Sequence, residues 1–114
     1  RQLKEAMQLL ERMLNSEFKA LQVLFYIIKF YDTIYHILLL KKAYISASEI
    51  MNIHLTNLYP SQRREFMEFS NNYNLTQLEL IFNILLDTDT KIKSSSASDA
   101  ILLTNCIFKI MESL

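Results

Sequence analysis

The chain contains no glycine among its 114 residues, and only one proline. Tight β-hairpin turns and phosphate-binding loops depend on glycine, because it adopts positive φ without steric cost. Apolar residues nevertheless make up 51% of the sequence, which is enough for a substantial core. These facts predict an all-α fold: a single bundle of about five to six helices, joined by short polar turns, over residues 1–114 as one domain.

The charge balance and the cysteine content narrow the class of protein. Twelve basic residues match twelve acidic ones, so the net charge is zero, whereas nucleic-acid-binding domains usually carry a basic excess. The single cysteine, Cys106, cannot form an internal disulfide and lies in an apolar helical run. We therefore expect a reduced, buried thiol in a cytoplasmic protein.

The longest predicted helix covers Glu17 to about Ala43 and is apolar around most of its circumference. Its polar residues form one narrow stripe: Gln22, Lys29, Thr33 and His36. Such a helix either lies at the centre of a bundle or offers a face to another chain. Because Lys29, Asp32 and His36 interrupt the apolar stretch from Leu21 to Leu40, we expect a soluble helix and no membrane contact.

Capping residues mark where the other helices begin. Ser46 and Ser48 predict a short helix that ends near Asn52 or His54. Pro60 fits the first turn of the next helix, which carries Phe66, Met67 and Phe69 inward. The last helix is expected to start near Ser98 or Asp99, after the polar run from Ser94 to Ser96.

Two further segments complete the expected bundle. From Leu3, apolar residues at helical spacing predict an amphipathic first helix through Met7, Leu10 and Leu14. Thr76 and Glu79 match a capping box that opens a strongly apolar helix through Leu86. We expect that helix to be deeply buried.

Residues that could carry chemistry are sparse. His36 and His54 lie eighteen residues apart, and neither has a histidine or cysteine three or four residues away, so no metal site is predicted. Cys106 has no neighbouring histidine in sequence to activate its thiol. Asp87 and Asp89 point to separate faces of a helix. We predict no catalytic site, no cofactor and no small-molecule ligand.

Two alternative functions follow from local patterns. The segment from Ile45 to Ile50, followed by the Pro60 helix with Arg63 and Arg64, resembles a helix-turn-helix, although Glu65 and Glu68 leave that helix little basic surface. A small DNA-binding regulator is therefore one alternative. An unrelated helical adaptor or homodimer that uses the long apolar helix is the other.

Four features in order carry a family resemblance: Tyr59-Pro60, Arg63-Arg64, the leucine-rich run Leu75 to Leu86, and Asp89 to Lys93 with an Asp-x-x-x-Lys spacing. Together with the preceding amphipathic, long apolar and short helices, their order resembles the C-terminal domain of the delta subunit of the bacterial DNA polymerase III clamp loader. The resemblance spans nearly all 114 residues.

The resemblance implies a collar domain that packs beside the equivalent domains of the gamma/tau and delta-prime subunits in DNA replication. The loader places the sliding clamp on primed DNA, so this domain would meet DNA only within the assembled complex. The chain is then expected to be a fragment that lacks the N-terminal ATPase-like domains.

The resemblance also suggests which residues make contacts. Candidates for subunit or DNA-facing contacts are Arg63, Arg64, Asp89, Lys91 and Lys93. The spacing of Asp89 and Lys93, four residues apart, favours an ion pair within one helix.

Overall fold

The computed structural model describes residues 4, 5, 8, 20–94 and 97–114. The helices are α1 (Ala20–Lys42), α2 (Ala47–Glu49) with a π-helical segment (Ile50–His54) directly after it, α3 (Pro60–Ser70), α4 (Leu75–Ser94) and α5 (Asp99–Glu112). The described residues form helices and turns and no strand, which confirms the all-α prediction.

The predicted first helix is described at three positions. Lys4, Glu5 and Gln8 are helical and exposed. The apolar positions predicted for its inner face, Leu3, Met7, Leu10 and Leu14, lie outside the described residues, as do Ser95 and Ser96 of the predicted serine linker.

The chain divides into two compact units. The terminal unit comprises Arg1–Lys29 and Glu79–Leu114, and the central unit comprises Phe30–Leu78. Helices α1 and α4 therefore each contribute residues to both units.

The core of the terminal unit is made by one face of each of three helices. Its buried residues are Ala20, Val23 and Leu24 of α1; Ile81, Leu85 and Thr88 of α4; and Leu103, Cys106, Ile107 and Ile110 of α5. The expectation that α4 is deeply buried holds for Ile81 and Leu85 but not for Leu80 and Leu86. Leu80 is 49% and Leu86 64% exposed, because the spacing of Ile81, Leu85 and Thr88 leaves these two leucines at the edges of the buried face.

The central unit has its own core of Ile37, Ile50 and Leu55, all buried. Partly buried side chains pack around it: Leu40, Ile45, Met51, Leu58, Phe66 and Met67. Phe30 adds an aromatic cluster, with ring centroids 5.3 Å from Phe66 and 5.7 Å from Phe69. Phe69, expected to point inward, lies at the edge of this cluster and is 38% exposed.

Three of the predicted helix starts are confirmed, including that of α5, which begins at Asp99 after the N-cap residue Ser98, and one was wrong. Ser46 Oγ accepts a hydrogen bond from the Glu49 amide at 3.2 Å, and Pro60 is the first residue of α3. The capping box of α4, however, is not built on Thr76. Asn74 Oδ1 accepts from the Gln77 amide at 2.8 Å, and Gln77 Oε1 accepts from the Asn74 amide at 2.9 Å.

The shift of two residues has a simple cause. Asn74 and Gln77 have the same three-residue spacing as Thr76 and Glu79, and asparagine is a better N-cap than threonine. The helix therefore begins two residues earlier, and Thr76 becomes part of its first turn.

Helix α1 ends in a Schellman motif without glycine. The Ile45 amide donates to the Leu40 carbonyl and the Tyr44 amide to the Lys41 carbonyl, each at 3.0 Å. This geometry puts Tyr44 in the left-handed region, with φ of 63°. Its side chain is 96% exposed, so no burial offsets the cost of that conformation. Leu40 and Ile45 instead pack against the core of the central unit.

We expect Tyr44→Gly to stabilise the protein by about 0.5–1 kcal/mol, because glycine adopts positive φ without the steric cost that a side chain incurs. Chemical denaturation monitored by circular dichroism measures the change. The matched control is Ala43→Gly at the preceding residue, where φ is not positive and the added chain entropy should destabilise. Equal effects of the two substitutions would contradict the interpretation.

By length and composition, α1 is also apolar enough to cross a membrane. The core helix of a soluble protein meets the same criterion, and Ile34 and Ile37 of α1 are completely buried.

Candidate subunit interface

Arg63, predicted as a contact residue, makes three hydrogen bonds within the central unit. Its Nε donates to the carbonyl oxygens of Leu55 and Leu58, each at 2.9 Å, and one terminal nitrogen donates to the Thr56 carbonyl at 3.4 Å. These carbonyls belong to the turn between the π-helical segment and α3. The fork of guanidinium donors suits this task, because several acceptors converge on one side chain.

Arg64, the second member of the pair, is exposed on α3. It has no polar partner within the described part of the chain. Of the two arginines, Arg64 is therefore the one whose guanidinium is available to another molecule.

The charged end of α4 is paired within the helix. Lys93 Nζ lies 3.0 Å from Asp89 Oδ2, and Lys91 Nζ lies 2.9 Å from Asp87 Oδ2. This confirms the ion pair expected from the spacing of Asp89 and Lys93. The hydrogen bond from Lys91 lowers the pKa of Asp87, and the charges of Lys91 and Lys109 act in the same direction. Exposed pairs of this kind contribute little stability, but they offset the positive charge that a phosphate would meet.

Helix α5 has two apolar faces. One is buried in the terminal unit through Leu103, Cys106, Ile107 and Ile110. The other, which we call the α5 outer stripe, has the spacing of a helix-packing seam and consists of Ile101, Thr104, Phe108 and Met111. At 3.6 residues per turn the outer stripe lies about 130° around the helix axis from the buried face. Ile101 is 58% and Phe108 40% exposed.

The single cysteine lies in the interior of the terminal unit. Cys106 is buried and 1% exposed, and burial raises the pKa of its thiol against the opposing effect of the hydrogen bond with Thr88. The predicted burial of this thiol is confirmed. Among the described residues, no group of three or more histidine, cysteine, aspartate or glutamate side chains could hold a metal ion.

Two contacts were not predicted from the sequence. Lys41 at the end of α1 donates to Ser70 Oγ at 2.7 Å and to Asn71 Oδ1 at 3.0 Å, which ties α1 to the end of α3. His36 and His54, distant in sequence, have ring centroids 6.4 Å apart. Neither contact follows from a short sequence motif, because each joins elements that only the tertiary fold brings together.

A helical domain with two ion pairs along α4 and one helix that is apolar on two faces has the features of a packing and interaction domain. A comparison with family models matches residues 1–110 to the DNA polymerase III delta subunit, C-terminal domain. The chain belongs to this family, which confirms the resemblance drawn from the sequence, and the domain is a non-catalytic part of the replication machinery. Searches of curated proteins and of solved structures gave no match.

Proposed function

We propose that this chain is the collar domain of a clamp-loader delta subunit. It packs beside the equivalent domains of the gamma/tau and delta-prime subunits, in the cytoplasm, and so helps assemble the loader that places the sliding clamp on primed DNA. The observation that carries the proposal is the family match over residues 1–110. The full-length protein would add N-terminal ATPase-like domains to the single domain formed by residues 1–114.

The α5 outer stripe is the surface that we propose for subunit packing. Cores of protein interfaces are enriched in aromatic side chains and methionine and poor in charge, as Phe108, Met111 and Ile101 are. The spacing of the stripe lets a helix of the neighbouring subunit pack along it. Because the opposite face of α5 is already anchored in the terminal unit, the stripe would be presented on a rigid element.

The paired charges bear on the relation to DNA. Arg63, Lys91 and Lys93 bond within the chain, and an isolated domain of zero net charge attracts phosphates weakly. Contact with primed DNA would therefore arise only in the assembled complex. In that complex, the candidates for subunit or DNA contact still include Arg64, Asp89, Lys91 and Lys93.

The collar function is tested by retention on the partner subunits. The fragment should co-elute with gamma/tau and delta-prime, and Ile101→Asp should weaken retention at least tenfold, because a buried carboxylate without a partner is costly. Ile53→Asp is the matched control, since Ile53 is 62% exposed in the central unit and Ile101 58% in the terminal unit. This control should bind within about twofold of the unmodified chain.

Three results would decide against parts of the proposal. If gamma/tau and delta-prime together fail to retain the unmodified fragment, the collar function is wrong. If Ile53→Asp weakens retention as much as Ile101→Asp, the collar function stands but the outer stripe is not the contact surface. Concentration-dependent self-association in sedimentation, abolished by Ile101→Asp, would favour a homodimer instead.

A helix-turn-helix regulator remains the second candidate, because α2 and its π-helical extension precede α3 with Arg64 exposed. It requires binding of the isolated chain to duplex DNA that weakens with salt and is lost in Arg64→Ala. The engagement of Arg63 with three carbonyl groups removes one of its two arginines from the proposed contact.

A further inference from the structure

The histidine pair is the one group of metal-ligating side chains that neither the family nor the proposed function explains. His36 lies on α1 and His54 ends the π-helical segment, and their rings are tilted by 53°. Both side chains are exposed. Within the described part of the chain, neither ring has a hydrogen-bond or ionic partner. The sequence contains two histidines in all, so the fold brings together every imidazole that the chain has.

Each histidine is directly followed in sequence by a core residue of the central unit, so the core holds the backbone at both histidines in place. His36 directly precedes Ile37, and His54 directly precedes Leu55. Ile37 and Leu55 belong, with Ile50, to the same buried cluster. Ligands held by a packed scaffold lose little freedom when they bind, so the site is partly preorganised.

The π-helical winding next to His54 is a second indication of a functional site. The Leu55 amide donates to the Ile50 carbonyl at 3.1 Å, five residues back, as in a π-helix. This winding is rare, is less favourable than α-helix, and occurs frequently at functional sites. Here it immediately precedes Leu55 and ends at His54.

The separation of the two rings fits one shared metal ion. With metal–nitrogen bonds of about 2.0–2.1 Å, two imidazole centroids lie about 5.2 Å apart at a tetrahedral angle and about 6.4 Å apart at a linear one. The observed separation is 6.4 Å. The observed separation therefore equals that of two imidazoles on opposite sides of one ion, and a smaller angle would require the two exposed rings to move closer together.

We propose that His36 and His54 form a two-imidazole site for a divalent transition metal ion, with the remaining coordination positions held by water. Imidazole nitrogen suits Zn²⁺, Ni²⁺ and Cu²⁺, of which Cu²⁺ binds most tightly, whereas Mg²⁺ and Ca²⁺ prefer oxygen ligands. The bound ion would link α1 to the end of the π-helical segment and so stabilise the central unit. This inference is independent of the collar function.

The test uses the whole chain without a histidine tag, titrated with NiCl₂ by isothermal calorimetry. His36→Gln and His54→Gln should each weaken Ni²⁺ binding at least tenfold, since each leaves one imidazole and no chelate. Glu68→Gln, which removes an exposed carboxylate of α3, should bind within twofold of the unmodified chain. MgCl₂ should give no binding heat.

Electron paramagnetic resonance of the Cu²⁺ complex supplies a readout of the ligand set. The unmodified chain should show coupling to two imidazole nitrogens, and each histidine variant coupling to one. Circular dichroism checks that the variants are folded. A one-nitrogen spectrum in the unmodified chain, or Ni²⁺ affinities of the two variants within twofold of it, would overturn the proposal.

Discussion

Ile50→Ala should lower the free energy of unfolding by about 3–4 kcal/mol, the largest effect that we expect from a single substitution in this chain. Ile50 is completely buried and packs with Ile37 and Leu55 at the centre of the central unit. Alanine at this position would leave a cavity among side chains held by α1 and the following turn. Since a small domain is stable by only about 5–15 kcal/mol, the loss should be plain in a urea titration.

The π-helical segment supplies a control of the same residue type. Ile53 lies three residues further on and is 62% exposed. Ile53→Ala should therefore change the free energy of unfolding by less than about 0.5 kcal/mol. Similar losses for Ile50→Ala and Ile53→Ala would mean that the segment is not packed as described.

Arg63→Ala should destabilise the protein by about 2–3 kcal/mol. The substitution leaves the carbonyl oxygens of Leu55 and Leu58 without their charged donor, and hydrogen bonds to charged groups contribute about 1.5–3 kcal/mol each before solvent exposure is considered. Arg63 is partly exposed, so water can hydrogen-bond to the carbonyl oxygens that lose their donor. The expected loss of stability is therefore smaller than the sum of the two hydrogen-bond contributions. Thermal denaturation with and without the substitution measures the loss.

The neighbouring arginine makes this prediction specific. Arg64→Ala removes the same charge from an exposed position and should alter stability by less than about 0.5 kcal/mol. Arg63→Lys should recover less than half of the loss, because an ammonium group cannot reproduce the forked geometry. Equal losses of stability in Arg63→Ala and Arg64→Ala would show that overall charge, and not the carbonyl contacts of Arg63, determines the effect.

Much of the fold could be predicted because it depends on local chemistry. Helical periodicity, the serine cap at Ser46 and the proline at the start of α3 act within one or two turns, and the structure confirms all three. The ion pair of Asp89 and Lys93 was predictable for the same reason, since both partners lie on one helix. Burial of Cys106 followed from the apolar run around it.

The features that were missed depend on contacts between elements or on competition between equivalent motifs. The capping box predicted at Thr76 forms at Asn74, because the two patterns overlap and asparagine is the better N-cap residue. The hydrogen bonds of Arg63 were not predicted, because a turn whose path no motif records brings the carbonyls of Leu55 and Leu58 to this side chain. The two histidines converge through a π-helical segment, which sequence periodicity does not distinguish from an α-helix of similar length.

The buried thiol makes it possible to measure how the two units of the domain open. Cys106 is the sole cysteine and belongs to the terminal unit, so a thiol reagent modifies the chain only when that unit opens. Labelling rates then report local opening without any engineered probe. Ile50→Ala weakens the central unit. If this substitution raises the labelling rate of Cys106 by the factor that its loss of unfolding free energy predicts, the two units open together. If the labelling rate is unchanged, they open separately.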